Sequence, residues 1–324
     1  MCANAQNVWQ HSGIVAITTL GATPSVPCAG IRGRNESAAN GPLSAFHDEE
    51  EQMNKLGNFF KPLTWFTALV LAALVAGCGG DEGTGSVPAL PGSAAGAVCT
   101  GANCVNLLTA GNFVILTSAG ITNTGGHTTA ITGDIGSSPI TGAAMDNVFC
   151  SEITGTIYGV DAAYTGSGDA SCYAGSPADK TTVDNAVADS VTAYGNALGK
   201  TPTVTDPTCA APIGPGVYNF SVANITLVAD CTLAGSATDV WVFKITGNLQ
   251  QNAGFSVLLT GGALPQNVFW QVGGGVGVNI LAGAHMEGVI LAAAGINLVT
   301  GATLNGRLYS QTAVALDANA ITVP

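Results

Sequence analysis

Few side chains beyond residue 78 have the types and spacing that catalysis needs. His127 and His285 are the histidines of this part of the chain, and neither has a nucleophile or a carboxylate at a catalytic spacing. The run Gly136-Ser-Ser-Pro139 is not the strained elbow that presents a nucleophilic serine. Glu287 and Arg307 favour structural pairing or corner filling over the proton abstraction of a polysaccharide lyase. The sequence therefore predicts that the protein is not an enzyme and that it needs no cofactor.

Six cysteines follow residue 78, and an even number in an exported chain favours disulfide bonds. The simplest connectivity joins neighbours along the chain, so that each bond staples one irregular loop. A zinc site is the alternative, but the wide spacing of the cysteines and the absence of nearby histidines disfavour a metal site. The predicted pairs are Cys99 with Cys104, Cys150 with Cys172 and Cys209 with Cys231.

Residues 53–77 have the features of a bacterial lipoprotein signal peptide. Lys55 and Lys61 precede the apolar run 63–76, which is too short to span a bilayer. The run leads into Leu74-Val-Ala-Gly-Cys78, which resembles the lipoprotein box, so Cys78 is expected to become the lipidated first residue. The alternative is an ordinary signal peptide that happens to contain Cys78.

The remaining boundaries follow from this signal. Met53 would be a normal start, so we interpret residues 1–52 as upstream sequence from a misassigned start codon. Residues 78–104 then form the lipidated cysteine and a flexible linker, and residues 105–324 form one folded domain. We expect an exported protein, either an outer-membrane or cell-surface lipoprotein or a secreted protein, that contacts a membrane only through the lipid at Cys78.

The composition excludes one class of partner and favours a β-rich fold. From residue 79 onward, four basic residues stand against fifteen acidic ones, so nucleic acid is not the partner. The chain is 47% hydrophobic but only 6% aromatic and 9% charged, and it contains 44 glycines. Short apolar runs punctuated by glycine fit stacked strands better than the large core of an enzyme.

The C-terminal part of the chain contains one pattern three times. The copies begin at Val278, Ile296 and Val314, at intervals of eighteen residues. In each copy, Val, Ile or Leu alternates with Asn, Ala or Thr, which is the pattern of a half-buried strand. A period of about 20 residues is typical of a solenoid, in which each repeat forms one coil and stacks on its neighbours. Weaker copies begin at Ile225 and Leu249.

One helix interrupts the β pattern. Ser176-Pro-Ala-Asp179 combines an N-cap serine with a following proline, and Gly199 ends the periodicity, so we predict a helix over residues 177–199. Its apolar stripe must be buried along the side of the coils. Residues 141–175 lack either periodicity and are predicted to form a stapled cap or loop over one end of the stack. The predicted stripe contains Val183, Val187, Val191, Tyr194 and Leu198.

Eight short segments of residues 105–324 carry a resemblance to a known family. The segments are Ala110–Leu116, Ile131–Gly136, Pro215–Tyr218, Asp239–Phe243, Asn267–Val272, Glu287–Leu291, Asn305–Arg307 and Leu316–Asn319. In this order they resemble the microbial ice-binding (antifreeze) proteins. The resemblance implies a mainly β fold, namely a right-handed discontinuous β-helix (solenoid) with one α-helix packed alongside. It also implies that an early strand segment joins later coils and that one flat face binds ice.

Alignment of the repeats selects candidate residues for that face. One outward column contains Thr232, Ser256, His285 and Thr303, with Thr128 as a further member from the early segment. A parallel column contains Ala229, Ala253, Ala282, Thr300 and Ala318. Some family members have the pattern Thr-Ala/Gly-x-Thr/Asn on the ice face, and only Thr300-Gly-Ala-Thr303 matches it fully. Another row, interpreted as solvated surface or as a neighbour of the helix, contains Thr226, Gln250, Asn279, Asn297 and Ala315.

These features predict a monomer that adsorbs to ice crystals through a flat, uncharged face rich in Thr, Ser and Ala. Many weak contacts from a rigid grid suit a crystal surface as the ligand, and adsorption would inhibit ice growth or recrystallisation or attach the cell to ice. The alternative is a surface adhesin or carbohydrate-binding module, although Trp241 and Trp270 lie inside apolar runs. The predicted ice-binding residues are Thr128, Thr232, Ser256, His285, Thr300 and Thr303.

Overall fold

The computed structural model describes residues 99, 101 and 103–324. The interpretations of residues 1–52 and 53–77 and the lipidation of Cys78 therefore lie outside the described residues. Within the described part, no helix combines the length and the apolar character needed to cross a membrane.

Short strands make up most of the fold, and one long helix, α1, spans Pro177–Gly199. Short 3-10 turns of the described part span Leu108–Asn112, Gly142–Met145, Cys150–Glu152, Gly166–Gly168 and Pro265–Asn267. The strands are β1 Phe113–Thr117, β2 Ile121–Asn123, β3 Ala130–Thr132, β4 Asp134–Ser137, β5 Ile153–Thr154, β6 Ile157–Tyr158, β7 Tyr173–Ala174, β8 Val204–Thr205, β9 Gly216–Asn219, β10 Ile225–Leu227, β11 Cys231–Ala234, β12 Trp241–Ile245, β13 Leu249–Gln251, β14 Val257–Thr260, β15 Val268–Val272, β16 Val278–Ile280, β17 His285–Ala292, β18 Ile296–Leu298, β19 Thr303–Ser310, β20 Val314–Leu316 and β21 Ala320–Thr322.

The described strands form parallel sheets of thirteen, six and two strands. The six-stranded sheet has the order β10, β13, β16, β18, β20, β2. Parallel neighbours cannot be joined by a tight hairpin, so the chain must pass through other elements before it returns to the same sheet. From β9 to β21, successive strands along the chain accordingly fall in different sheets.

The eighteen-residue repeat corresponds to one layer of the stack. Ile296 pairs with Val278 on one side and with Val314 on the other. The weaker copies follow the same rule, since Ile225 pairs with Leu249, and Leu249 pairs with Val278. In the strands of the three regular copies, one outward side chain lies between two buried ones.

The early segment stacks on the last repeat. Strand β1 pairs with β19, β2 pairs with β20, and β3 pairs with β21. Ile121 thereby lies next to Val314, although almost the whole domain separates them in sequence. This is the interrupted order of layers that the resemblance implies.

Strands β17 and β19 each contribute to two faces of the molecule. Their first residues alternate between buried and half-buried, whereas their last five residues are all buried. The change occurs at Gly288, whose φ is 107°, and at Gly306, where a Cβ atom would lie 1.8 Å from the Gly288 carbonyl oxygen. Only glycine fits this close approach, so the pair marks a corner of the stack.

The sheets therefore present three faces. The helix-covered face consists of β4, β1, β15, β12, β9 and the second halves of β19 and β17. The six-stranded face is the six-stranded sheet. The third face consists of β11, β14, the first halves of β17 and β19, and β21, β3 and β5.

Helix α1 has the bounds that the sequence predicts. The Ser176 hydroxyl accepts a hydrogen bond from the Asp179 amide at 3.3 Å, and the Asp179 carboxylate accepts one from the Ser176 amide at 2.9 Å. This capping box, with Pro177 in the first turn, satisfies amide groups that would otherwise lack partners. The helix packs against apolar side chains that include Phe113 and Phe269.

The predicted apolar stripe of the helix is partly wrong. Val183 is fully buried, but Val191 and Leu198 are 43% and 47% exposed. Small residues of α1 contact the sheet instead, because alanine lets the helix backbone approach the sheet closely. The buried residues of α1 are Val183, Ala186, Ser190, Ala193 and Ala197.

The cysteines pair as the sequence predicts, Cys99 with Cys104, Cys150 with Cys172 and Cys209 with Cys231. Residues 141–175 are not a strandless loop, since β5 and β6 extend the stack by pairing with β3 and β4. Met145, Val148 and Tyr164 of this segment belong to the buried core, so the segment covers one end of it.

Candidate functional site

The third face presents two outward rows of side chains. The first row contains Ser256, His285, Thr303, Ala320 and Ala130, in that order across the strands. The second row contains Thr232 and Leu258, then Glu287, Asn305, Thr322, Thr132 and Thr154. Between the rows, Met286, Leu304, Ile321 and Ile131 point inwards and are at most 2% exposed.

Ser256, His285 and Thr303 do share a row, but the assignment of Thr232 to it is wrong. Thr232 pairs with Leu258 and so belongs to the second row. The partner of Ile225 lies twenty-four residues later, whereas the partner of Cys231 lies twenty-six residues later. The turn before β14 is thus two residues longer than the turn before β11, and two residues along a strand shift a side chain by one row.

Thr128 and Thr300 lie in turns and belong to neither row. The Thr128 hydroxyl donates to the Gly125 carbonyl oxygen at 2.9 Å, and Ala130 takes the place in the first row. The Thr300 hydroxyl donates to a carboxylate oxygen of Asp317 at the corner between the six-stranded face and the third face. A hydroxyl that is already bonded to a carboxylate is less free to join an array of ordered water.

His285 has two partners that its sequence context does not reveal. Its Nδ1 lies 2.8 Å from the Thr303 hydroxyl oxygen, and its Nε2 lies 3.0 Å from Oε1 of Glu287. The expectation that His285 lacks such partners is therefore wrong. The three side chains lie on an open sheet, and they line neither the cavity beside Cys209 nor the one beside Cys150. The cluster interrupts the otherwise uncharged face.

The other candidate groups have structural roles. The His127 ring stacks on Phe149 at 3.6 Å and its Nδ1 lies 3.3 Å from Oε2 of buried Glu152, which also accepts a hydrogen bond from Asn123 at 2.6 Å. These contacts join the cap to β2.

Of the two roles expected for Glu287 and Arg307, structural pairing and corner filling, the pairing is wrong. Glu287 aligns with Asn305 on the third face, whereas Arg307 aligns with Val289 beyond the glycine corner. Arg307 is 1% exposed and its Nη2 donates to the Gly111 carbonyl oxygen at 3.1 Å. Arg307 therefore fills the corner beside the first 3-10 turn.

The uncharged part of the third face includes residues that the repeat alignment missed. It extends from β19 across β21 and β3 to β5, where the exposed side chains are threonine, alanine and asparagine. A signal was present, since Ala-Ile-Thr occurs both at residues 320–322 and at residues 130–132. We call this surface the threonine patch, and it consists of Thr303, Asn305, Ala320, Thr322, Ala130, Thr132 and Thr154.

The six-stranded face presents one outward row. The interpretation of this row as a neighbour of the helix is wrong, because α1 packs on the helix-covered face. Asn297 Nδ2 donates to Asn279 Oδ1 at 3.4 Å along the row. The row contains Thr226, Gln250, Asn279, Asn297, Ala315 and Thr122.

The exposed aromatic row that sugar binding favours is not present on these two faces. Trp241 and Trp270 are 0% and 1% exposed. Their indole N–H groups donate to the carbonyl oxygens of Ile213 and Glu287, at 3.1 Å and 2.9 Å. Both tryptophans are therefore core residues.

The two open faces and the helix-covered face place this protein in a class of stacked-strand proteins. In this class, the surface that is available for binding is an extended face of a parallel sheet. Within this class, the chain belongs to the ice-binding family, since the family model described as Ice-binding-like matches residues 115–322. The chain is 40% identical over 229 residues to an ice-binding protein of Flavobacterium frigoris, covering 68% of this chain and 76% of that protein. It is 39% identical over 245 residues to an ice-binding protein of a Colwellia species, covering 74% and 92%.

A solved structure supports the same relation. The structure of an ice-binding protein from an Arctic yeast superposes with a TM-score of 0.60 at 32% identity, covering 69% of this chain and 96% of that one. These relatives are described as ice-binding proteins and not as enzymes. The alternative of an adhesin or carbohydrate-binding module finds no support among them.

Proposed function

We propose that this protein adsorbs to ice crystals and so inhibits their growth or recrystallisation, or attaches the cell to ice. The observation that carries the proposal is the threonine patch, an exposed and uncharged array in which Thr322, Thr132 and Thr154 are aligned in register. Family membership supports it, because the matched relatives are described as ice-binding proteins.

The spacing of such an array suits a crystalline ligand. Neighbouring strands lie about 4.8 Å apart, and alternate residues along one strand lie about 6.7 Å apart, so hydroxyl and methyl groups repeat in two directions. Leu304, Ile321 and Ile131 are buried beneath the patch and hold its backbone in place. A rigid array loses little entropy on binding, and many weak simultaneous contacts add up.

The scaffold that supports this surface is, in our proposal, a right-handed discontinuous β-helix. The layer-by-layer registers and the stacking of the early segment on the last repeat support the coiled path. The right hand follows from the strong preference of parallel strand connections for that sense.

We choose the threonine patch over the six-stranded face as the ice contact. Thr303 links the patch to the predicted column, and Ser256 and His285 continue that row beyond it. The row on the six-stranded face has longer amide side chains, Gln250, Asn279 and Asn297, which are less rigid than threonine. The absence of charged side chains does not distinguish the patch from the six-stranded face, because the pair of His285 and Glu287 lies at the border of the patch.

A tyrosine scan tests the choice of face. Thr322→Tyr should lower ice-recrystallisation inhibition and thermal hysteresis by at least about tenfold, because one bulky side chain prevents simultaneous contact across the patch. Two matched variants serve as controls, namely Thr232→Tyr on the same face beyond Glu287 and Asn279→Tyr on the six-stranded face. Both should retain nearly full activity.

Each outcome of the scan has a distinct meaning. Loss of activity in Asn279→Tyr but not in Thr322→Tyr would move the ice contact to the six-stranded face. A wild-type protein whose solutions freeze and recrystallise like buffer alone would refute ice binding itself.

We also propose that the protein is a monomer that is exported and reaches a membrane only through a lipid at Cys78. The three disulfides support export, because such bonds persist in oxidising compartments. Mass spectrometry of the protein from its own cells tests this proposal. A lipidated peptide that begins at Cys78 is expected, and peptides from residues 1–52 would contradict both the start at Met53 and the processing.

A further inference from the structure

One end of the stack is less completely packed than the rest. The outermost layer there contains β10, which pairs only with β13 among the described strands. Ile225 and Leu227 of β10 each retain 8% exposure, whereas Ile296 and Leu298, at the same positions of a middle layer, retain 1% each. The difference shows that no further layer of the described chain covers this end, so that solvent-accessible space adjoins the apolar interior of the stack.

The space is a cavity of about 680 Å³. Most of its lining side chains are apolar, and the stacked rings of Phe243 and Trp270, with centroids 4.2 Å apart, form one wall. We call it the end cavity. Its other apolar lining residues include Ile213, Phe220, Ile225 and Leu227.

The loop beside the cavity is fixed, so the space exists before any ligand arrives. The Cys209–Cys231 disulfide ties residues 206–213 to β11. Both carboxylate oxygens of Asp206 accept hydrogen bonds from Ser221, at 2.6 Å from its amide and 2.6 Å from its hydroxyl. The loop lines one side of the cavity and leaves it open, and Thr208 and Ala210 are among its small side chains there.

The lining defines the chemistry of a ligand. No lysine, arginine or histidine lines the end cavity, and its one acidic residue is Asp206. The Asp206 carboxyl is negatively charged at neutral pH, and hydrogen bonds from Ser221 lower its pKa below the ordinary 3.8. An anion would be repelled, and water gains few partners in an apolar space. The volume falls within the range of roughly 300–1,000 Å³ that is usual for small-molecule sites.

We propose that the end cavity binds a small, uncharged and mainly apolar molecule. The site lies in the layer of β10 and β11, whereas the threonine patch lies on β19, β21, β3 and β5. Occupation of the cavity is thus independent of the proposed ice contact, and the two can be measured separately.

Titration of the full chain with the neutral fluorescent probe N-phenyl-1-naphthylamine tests the proposal. Saturable binding of one probe per chain is expected, with a blue-shifted emission. Ala210→Phe and, separately, Thr208→Phe place a ring against the cavity and should weaken binding by at least about tenfold by steric exclusion. Thr238→Phe, on an exposed loop outside the cavity, is the matched control and should bind like the wild type.

Methyl NMR spectra locate the bound probe. The methyl signals of Ile225 and Leu227 should shift on titration, while those of Ile296 and Leu298 stay in place. Non-saturable binding, unchanged affinity in both phenylalanine variants, or shifts confined to other residues would overturn the proposal. A concentration-dependent dimer that blocks the probe site in sedimentation experiments would also overturn it, in favour of a second copy of the chain as the occupant.

Discussion

At the scale of single residues, Asp134 shows how burial changes the pKa of a carboxyl group. Asp134 begins β4 and is 2% exposed, and its Oδ1 accepts a hydrogen bond from the Thr156 amide at 2.9 Å. Its Oδ2 is buried without a hydrogen-bond partner in the described part of the chain. Desolvation raises the pKa of Asp134 above the ordinary 3.8, and the bond from Thr156 offsets only part of this effect.

Asp134→Asn should therefore stabilise the protein at neutral pH. The raised pKa means that the folded state favours the neutral carboxyl, so stability falls as the pH rises from 3.8 through the folded pKa. The variant should have a larger free energy of unfolding than the wild type at pH 7, by more than the roughly 0.5 kcal/mol scatter of neutral substitutions. Urea unfolding across this pH range measures the difference, which should shrink on acidification.

Asp206→Asn provides a control of opposite sign. Its pKa is lowered by the hydrogen bonds from Ser221, so its carboxylate contributes stability above the unfolded pKa and loses it as the pH falls through the folded pKa. The variant should be less stable than the wild type at pH 7 and should approach it in acid. Equal pH profiles for both variants would contradict this account of Asp134.

At the scale of elements, the helix and the sheet meet through small side chains. Ala186, Ala193 and Ala197 are fully buried between α1 and the helix-covered face. The start and end of α1 could be predicted because its cap and its terminal glycine are local signals. The buried side of α1 could not be predicted in the same way. Val and Leu are more hydrophobic than Ala, so they were expected to face the sheet, and the close approach of the sheet is not a property of the helix sequence.

Ala193→Leu should destabilise the protein by about 1–3 kcal/mol, because added methylenes in a packed interface force strain. Thr192→Leu is the matched control on the exposed side of α1 and should change the free energy of unfolding by no more than about 0.5 kcal/mol. Chemical denaturation followed by circular dichroism gives both values. An unchanged free energy of unfolding in Ala193→Leu would contradict this prediction, because it would show that the interface between helix and sheet accommodates a larger side chain.

The described part of the chain forms a stack of layers with a disulfide near each end. Cys150–Cys172 closes the cap beside β5 and β6, and Cys209–Cys231 closes the layer of β11 at the other end. Each bond joins cysteines 22 residues apart. End layers of a stack have a neighbour on one side only, so they are expected to unfold before the middle layers.

Replacing Cys209 and Cys231 by serine should cost about 3 kcal/mol in the chain-entropy estimate for a loop of this length. Hydrogen exchange should then become faster in β9, β10 and β11, while β16 and β18 keep their protection. The Cys150→Ser, Cys172→Ser variant should show a similar cost but should loosen β5, β6 and β7 instead. Uniformly faster exchange across all layers would contradict independent ends.

Much of the architecture was determined by the sequence alone, because its signals are local. The repeats that begin at Val278, Ile296 and Val314, the bounds of α1 and the pairing of neighbouring cysteines all depend on short spacings that a single segment carries. The row of Ser256, His285 and Thr303 could be predicted for the same reason, because these residues lie in consecutive repeats of the sequence.

Only the tertiary structure decided which side chains share the exposed surface. Thr322 lies beside Thr132 because the early segment stacks on the last repeat, a contact between distant parts of the chain, and Thr154 follows beside Thr132. Thr232 leaves the predicted row because one turn is two residues longer than another. The position of a side chain on a sheet depends on strand register, and register is set by turn lengths and long-range pairing that no single repeat contains.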